Sequence, residues 1–315
     1  MRFIAIALLS LILLTGCGRK LDPTLDDYLP PDEIQSISLS SDTEKIIISW
    51  NHPEKAKGKV ESFLIERVNK GEKKELGYYG KDINSLEDRD FIFGETYTYR
   101  IFAISAKGVY SKPIEASITP KKLPDVVNLE YKITPEGVLL SWEKNQSLSY
   151  NIYRLDRQGQ RKKIGFSEKN LFLDEILPSN IIELLESSKS YITYQITPAL
   201  RDESAYIEGK AKEINVSIDQ FIPSKPEEIF WTINEYGAYI SWKEVPEKWI
   251  IGYKIYRKYS KEANFQLIGT TKIPLFFDDD YNINNIQKPV YYRISTQGPL
   301  RDSEAFEIKV EAMNE

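Results

Sequence analysis

A seven-residue phrase that ends in Ser-Trp occurs three times in this chain of 315 residues. The copies are EKIIISW at 44–50, EGVLLSW at 136–142 and YGAYISW at 236–242. Solenoid repeats have only about 20 to 50 residues, and each unit packs on its neighbours. Copies spaced by roughly 100 residues instead suit domains with their own hydrophobic cores. The sequence therefore predicts three similar domains.

Further phrases follow each copy in the same order. They are FLIER, YNIYR and YKIYR at 63–67, 150–154 and 253–257; an aspartate beside aromatic residues at 88, 174 and 278; and YTYRI, YQI and YRI at 97–101, 194–196 and 292–294. These phrases are short, rich in β-branched and aromatic residues, and alternate with a period of two, which is typical of half-buried strands. Several such strands per copy predict an all-β fold of three tandem antiparallel β-sandwiches.

The phrases resemble fibronectin type III modules, which have an immunoglobulin-like fold. Residues 250–257 resemble the third strand of that family, and residues 97–103 resemble its Tyr-rich sixth strand. The resemblance implies a buried tryptophan in each copy and a corner tyrosine at Tyr97; the second and third copies have Ile192 and Val290 at the corner. Residues 179–187 depart from the family pattern, because their helical spacing behind a Ser cap predicts a short helix.

The same pattern sets the expected domain boundaries. They are a signal peptide at 1–16, a tether at 17–33, and fibronectin type III-like domains at 34–120, 121–220 and 221–315. The junctions at 119–124 and 221–226 contain prolines. Because proline stiffens a linker, we expect a semi-rigid rod.

The first 16 residues have the composition of an export signal. Arg2 supplies a positive charge, and residues 3–14 form an apolar run. This is the pattern of a secretory signal peptide. The run is too short to cross a bilayer as a helix, which needs about 20 apolar residues.

The export signal ends in Leu14, Thr15, Gly16 and Cys17, and Cys17 is the sole cysteine of the chain. This sequence resembles the lipobox of bacterial lipoproteins. The resemblance implies cleavage after Gly16 and lipidation of Cys17, whose acyl chains would hold the protein on a membrane. The residue after the cysteine is Gly18. By resemblance to enterobacterial lipoprotein sorting, this residue implies an outer-membrane location facing the periplasm, with the cell surface as the alternative.

Composition argues against several classes of function. A net charge of −5 and a pI near 5.4 argue against nucleic-acid binding, which needs a basic face. The single histidine, His52, excludes a His-rich metal site, and we expect it in a surface loop. Residues 278–284 space oxygen ligands like a calcium loop but lack its central Gly and terminal Glu. We expect no metal, no cofactor and no catalysis, since no phosphate-binding Gly-rich loop occurs either.

Three features remain as candidate partner contacts. Trp249 lies near a predicted loop, where it either packs under the loop or forms an exposed aromatic anchor. Leu-Arg-Asp occurs at 200–202 and again at 300–302, in predicted loops. Arg201 with Asp202, and Arg301 with Asp302, either contact a partner or form an ion pair at the loop tip.

The function that these observations predict is that of a non-catalytic, membrane-anchored envelope lipoprotein. Its tandem domains would act as a scaffold for an extracytoplasmic protein partner, because repeated modules raise effective concentration. One alternative is a carbohydrate-binding module for cell-wall or surface polysaccharide, with Tyr78 and Tyr79 among its exposed aromatics. Another is an accessory subunit of outer-membrane assembly machinery.

Overall fold

The computed structural model describes residues 28–53, 59–145, 147–156, 158–186, 190–202, 205–281 and 289–310. The export signal, Cys17 and most of the tether therefore lie outside the described residues. Among the described residues no helix is long and apolar enough to cross a membrane. The chain forms two compact units: the first extends to Pro120 without Ser41–Glu44, and the second consists of Ser41–Glu44 together with the chain from Lys121 onward.

The first unit is one β-sandwich, here called the first sandwich. Its strands are β1 (Ser36–Ser41), β2 (Ile46–Asn51), β3 (Ser62–Asn69), β4 (Glu72–Gly80), β5 (Ser85–Asp88), β6 (Tyr97–Ile104) and β7 (Ile114–Ile118). One layer has the order β1-β2-β5, and the other has the order β4-β3-β6-β7. Inward residues alternate with outward residues along the strands, as the period-two pattern predicted.

The second unit contains two further sandwiches. The second sandwich has β8 (Glu130–Thr134), β9 (Gly137–Ser141), β10 (Ser149–Leu155), β11 (Arg161–Ser167), β12 (Leu171–Glu175), helix α1 (Pro178–Glu186), β13 (Tyr191–Asp202), β14 (Ala205–Glu208), β15 (Lys212–Ser217) and a 3-10 turn (Ile218–Gln220). The third has β16 (Glu227–Asn234), β17 (Gly237–Lys243), β18 (Gly252–Lys258), β19 (Gln266–Thr271), β20 (Leu275–Asp278), β21 (Val290–Gln297) and β22 (Phe306–Val310).

Their layers repeat the strand order of the first sandwich. The three-stranded layers are β12-β9-β8 and β16-β17-β20, and β19-β18-β21-β22 forms the four-stranded layer of the third sandwich. In the second sandwich β13 pairs with both β10 and β15, and its far end pairs with β14. The paired strands are antiparallel, which confirms the predicted fold class.

The repeated tryptophans lie in the cores, as predicted. Trp50, Trp142 and Trp242 are buried. Each meets the first aromatic residue of the next strand edge-on, with ring centroids 5.0 to 5.6 Å apart. Edge-to-face packing is the favoured geometry for aromatic pairs in a core.

The corner tyrosine forms its hydrogen bond in the first sandwich. The backbone N–H of Ile92 donates to the Tyr97 hydroxyl at 2.9 Å. Ile192 and Val290, at the corresponding corners, are buried and apolar. Those two corners therefore depend on hydrophobic packing.

Helix α1 confirms the helix predicted in the second copy, although it begins at Pro178 rather than Ser179. Proline suits the first helical position, where its missing N–H would have no partner. The Asn180 side chain accepts a hydrogen bond from Leu177 N–H at 3.0 Å, so Asn180, and not a serine, satisfies that end.

The surface prediction for His52 is wrong. The ring is buried, packs edge-on against Phe63 at 5.9 Å, and places Nε2 3.2 Å from the backbone oxygen of Asp32. His52 directly follows β2 and lies beside the segment around Asp32 that leads into β1. This tertiary contact buries the histidine.

Candidate functional site

The outer surface of the β16-β17-β20 layer carries four large apolar side chains. Phe230 is 66% exposed, Leu275 43%, Phe277 39% and Tyr239 36%. Contiguous apolar surface is uncommon on an isolated domain and marks interaction sites. We call these four residues the aromatic face.

Strand alternation and register bring the aromatic face together. Tyr239 pairs with Phe277, and Ser241 lies between Phe230 and Leu275 in the next row. The Tyr239 and Phe277 rings are 4.4 Å apart and inclined by 32°. The residues before and after each of them in its strand point towards the core, so the four side chains share the outer side of the layer.

The corresponding surfaces of the other sandwiches differ in part. In the second sandwich, Glu130 stands at the position of Phe230, and the other three positions are leucines: Leu139, Leu171 and Leu173. In the first sandwich, Ser85 and Glu87 occupy the positions of Leu275 and Phe277. Phe230, Tyr239 and Phe277 thus stand where the second copy has a glutamate and two leucines, so the shared fold does not require the aromatic rings.

Charge at the border of the aromatic face is balanced. Lys243 Nζ lies 2.7 Å from Glu228 Oε1, and both side chains are more than half exposed. Such an exposed pair contributes about 0 to 1 kcal/mol to stability. The face therefore presents apolar surface with a neutral ion pair beside it, which suits an apolar partner surface better than a charged one.

A buried ion pair occurs at the same place in every sandwich, and sequence reasoning missed it. It joins Asp88 to Arg67 and Tyr99, Asp174 to Arg154 and Tyr194, and Asp278 to Arg257 and Tyr292. The arginine-to-carboxylate distances are 2.8 Å, 3.3 Å and 2.5 Å, and the tyrosine-to-carboxylate distances are 2.8 Å, 2.6 Å and 2.6 Å. The signal was present, because the three repeated phrases contain these residues at fixed positions.

The buried ion pairs perturb the pKa values of their members. Burial, followed by the hydrogen bond to the aspartate, raises the pKa of Tyr99 and of Tyr292 far above the ordinary value. Burial also raises the pKa of Asp174, against the opposing charge of Arg154. Each carboxylate has fixed donors inside the fold, so the arrangement suits structural pairing better than proton transfer to a substrate.

Trp249 is not an exposed anchor. It is 2% exposed, and its indole N–H donates to the backbone oxygen of Thr134 at 2.9 Å. Its ring meets Phe221 edge-on at 5.1 Å, within the core of the second sandwich. The loop that carries Trp249 packs against the neighbouring sandwich, which corrects the interpretation of an exposed partner contact.

The two Leu-Arg-Asp sequences have different structures. The loop prediction for residues 200–202 is wrong, because they form the end of β13, where they pair with β14. Arg201 is exposed opposite Tyr206, and the side chain of Asp202 lies outside the described residues. Arg301 is exposed outside any strand. The partner of Asp302 is Lys254, whose Nζ lies 2.7 Å from the Asp302 carboxylate. This contact replaces the predicted ion pair with Arg301.

The two tyrosines named as a sugar-binding surface are also distinct. Tyr78 is exposed, and its hydroxyl lies 3.5 Å from that of Tyr110, which is also exposed. Tyr79 is half-buried and donates to the backbone oxygen of Leu76 at 3.2 Å. Tyr78 and Tyr110 therefore form a small aromatic surface without Tyr79.

No metal centre is found in the part of the chain that the structure describes: nowhere there do three or more His, Cys, Asp or Glu side chains come together. Asp278, the first residue of the calcium-like sequence, holds Arg257 through both carboxylate oxygens. Residues 282–284 of that sequence lie outside the described residues.

These layers and their strand order define tandem antiparallel β-sandwiches of the fibronectin type III-like class. No protein-family model matches the chain, and no curated protein matches it.

Solved structures similar to the chain include three β-sandwich proteins, each with a TM-score of 0.26. Chicken CNTN1 domains FN1–FN3 are 14% identical, with 90% of this chain and 99% of that chain covered. A two-domain fibronectin type III segment of chicken tenascin is 11% identical, with 89% and 100% covered. A computationally redesigned β-sandwich protein is 20% identical, with 30% and 98% covered. These similarities imply no function for this chain, whose fold is defined by the strand order of its layers.

Proposed function

We propose that this protein is a non-catalytic, lipid-anchored envelope lipoprotein that binds an extracytoplasmic protein partner. The observation that carries the proposal is the aromatic face of the third sandwich. Its three aromatic rings are exposed where the second sandwich has Glu130 and leucines, and exposed contiguous apolar residues are typical of interaction sites. The buried aspartates, the most obvious acid–base candidates, are engaged by arginine and tyrosine.

The anchor is proposed from Leu14, Thr15, Gly16 and Cys17. Acyl chains contribute about 0.8 kcal/mol per buried CH₂, so two or three chains give lasting attachment. Cys17 would hold the protein at a membrane, with the outer membrane facing the periplasm as the favoured location. We expect Cys17→Ser to block lipid-dependent processing and to remove the protein from the membrane fraction.

Fractionation of cells, with metabolic labelling by a fatty acid, measures that result. Ser10→Ala, inside the apolar run, is the control and should leave the label in place. A Cys17→Ser protein that is still labelled and still sediments with membranes would refute the anchor.

The partner contact is tested by a photoreactive amino acid at position 230. We expect this protein to crosslink to an envelope protein in intact cells, identified by mass spectrometry. The matched control places the same amino acid at position 130, the corresponding register position of the second sandwich. Equal crosslinking at 130 and 230, or none at 230, would argue against the aromatic face as the binding surface.

Carbohydrate binding is the second candidate function, favoured by Tyr78 and Tyr110. Exposed aromatic rings can stack on sugars, and the two hydroxyls lie together on the first sandwich. We expect Tyr78→Ala to lose signals on a glycan array if this candidate is correct, while Tyr79→Phe retains them. An array without signals for the unsubstituted protein would eliminate it.

A further inference from the structure

In the first and third sandwiches the buried ion pair includes a second aspartate, two residues after the first. Arg67 Nη2 lies 3.2 Å from Asp90, and Arg257 Nη2 lies 3.3 Å from Asp280. Asp90 and Asp280 thus accept hydrogen bonds from Nη2 of the arginine, whereas the first aspartate accepts from Nη1. A guanidinium carries five N–H donors in a fixed fork, so it can hold two carboxylates at once.

In the first sandwich, a lysine also pairs with this second aspartate. Lys74 stands opposite Arg67 in the β3–β4 pair, and its Nζ lies 2.9 Å from Asp90. The hydrogen bond from Lys74, and then that from Arg67, lowers the pKa of Asp90. Asp90 therefore shows how a carboxylate is held between an arginine and a lysine at this place in the fold.

The second sandwich has the two cations without the second carboxylate. Lys162 stands opposite Arg154 in the β10–β11 pair, as Lys74 does opposite Arg67. Two residues after Asp174 the chain has Ile176, which is fully buried in the core. Like charges directly opposite each other destabilise a sheet unless an anion lies between them.

The guanidinium of Arg154 makes fewer contacts with described carboxylates than Arg67 and Arg257 make. Its Nη1 contacts Asp174 at 3.3 Å, the longest of the three arginine-to-aspartate contacts, and its side chain is 22% exposed. Within the described residues no other carboxylate or carbonyl oxygen accepts a hydrogen bond from this guanidinium.

A cavity of about 320 Å³ opens beside Arg154, and its wall combines polar groups with the apolar parts of the lining side chains. Its lining residues are Arg154, Leu155, Asp156, Gln158, Lys162, Asn180 and Glu183. Helix α1, which has no counterpart among the named elements of the other sandwiches, contributes the last two. Cavities of roughly 300 to 1,000 Å³ are typical of small-molecule sites.

We propose that this cavity binds a small molecule through a carboxylate held between Arg154 and Lys162. The ligand carboxylate takes the position that Asp90 takes in the first sandwich. Charge-assisted hydrogen bonds from arginine and lysine are the strong contacts for such a group.

The remaining lining limits the ligand further. Asp156 and Glu183 are engaged within the protein but place negative charge at the cavity wall. A ligand with several negative charges is repelled there, whereas hydroxyl groups can donate to those oxygens. The site therefore fits a monocarboxylate that is otherwise neutral and hydroxylated, the chemistry of a sugar acid.

Saturation-transfer NMR on the lipidated protein in detergent micelles tests the proposal with glucuronate and with glucose, which lacks the carboxylate. We expect signal transfer to glucuronate and none to glucose. Lys162→Glu should weaken glucuronate binding about tenfold or more, since it reverses the charge at the carboxylate. Lys163→Glu, on the opposite side of the same strand, should leave binding unchanged.

Thermal unfolding of both variants establishes that they are folded like the parent. Equal transfer to glucose and glucuronate would overturn the proposal. So would the absence of transfer to glucuronate at tens of millimolar, or full binding by Lys162→Glu. Because the aromatic face lies on the third sandwich, crosslinking from position 230 is scored separately, and either result can fail without the other.

Discussion

At the scale of single residues, the buried aspartates depend on the side chains that surround them. A carboxylate removed from water is costly unless it is paired and hydrogen-bonded. Arg257 and Tyr292 supply both to Asp278 in the third sandwich. Removing one partner leaves a buried charge uncompensated.

We predict that Arg257→Met lowers the free energy of unfolding by about 3 to 5 kcal/mol, the cost of breaking a buried pair. Urea unfolding followed by tryptophan fluorescence measures it. Arg293→Met is the matched control: Arg293 pairs with Glu307 on the exposed surface, so its loss should cost about 1 kcal/mol or less. Equal losses in the two variants would contradict a buried role for Arg257.

A second prediction concerns alkaline pH. Burial, and then the hydrogen bond to Asp278, raises the pKa of Tyr292 in the folded state. The unfolded chain therefore releases this proton first, at an ordinary tyrosine pKa of about 10. The free energy of unfolding that this pKa difference contributes is fully present below about pH 10 and is lost as the pH rises further.

Melting temperatures between neutral and strongly alkaline pH measure this loss. We expect Tyr292→Phe to be less stable at neutral pH but to lose less on alkalinisation, since it has no proton to release. Tyr236→Phe, at an exposed position, is the control. An unchanged alkaline slope in Tyr292→Phe would show that this tyrosine does not contribute.

At the scale of elements, a glycine permits the close approach of two strands in the second and third sandwiches. Gly237 has φ 153°, and a Cβ there would lie 2.4 Å from the backbone oxygen of Asp278. Gly137 has φ 150° and the same clash with Asp174. Lys45 occupies this position in the first sandwich, so the close approach belongs to two copies only.

We predict that Gly237→Ala destabilises the protein by about 1 to 3 kcal/mol through strain and overpacking. Gly80→Ala is the control, because Gly80 lacks positive φ and has no atom within 4 Å of its Cβ position. Denaturant unfolding compares them. If Gly237→Ala left the free energy of unfolding unchanged, the strand that carries Asp278 would be able to shift and accommodate the methyl group.

At the scale of the whole molecule, the second and third sandwiches share a core contact. Trp249 of the third packs on Phe221, and Lys248 N–H donates to Pro135 oxygen at 2.8 Å. Thr296 also donates to Ser224 oxygen at 2.7 Å, beside the chain that joins the two sandwiches. These contacts hold the second unit together.

We predict that Trp249→Ala costs about 3 to 5 kcal/mol, as for other buried aromatic truncations. Calorimetry should show the second unit melting earlier and over a broader range, because the two sandwiches lose a shared residue. Phe230→Ala, an exposed aromatic, should change stability by no more than about 0.5 kcal/mol. A small effect of Trp249→Ala would mean that the junction repacks.

The sequence by itself determined the repeated all-β architecture. Period-two alternation, the Ser-Trp phrases and the helical spacing near Ser179 are local signals, and each predicted the correct element. They are readable because a strand or helix selects residues by the faces that it exposes. The lipid anchor at Cys17 also derives from the sequence and stays a prediction.

Only the tertiary structure decided which side chains meet. Asp88 is 21 positions from its partner Arg67, and Trp249 is 115 positions from Thr134. The exposure of Phe230 and the cavity beside Arg154 likewise depend on neighbours across strands. Local sequence fixes the direction of a side chain in its own strand, whereas pairing and burial depend on contacts made after the chain has folded.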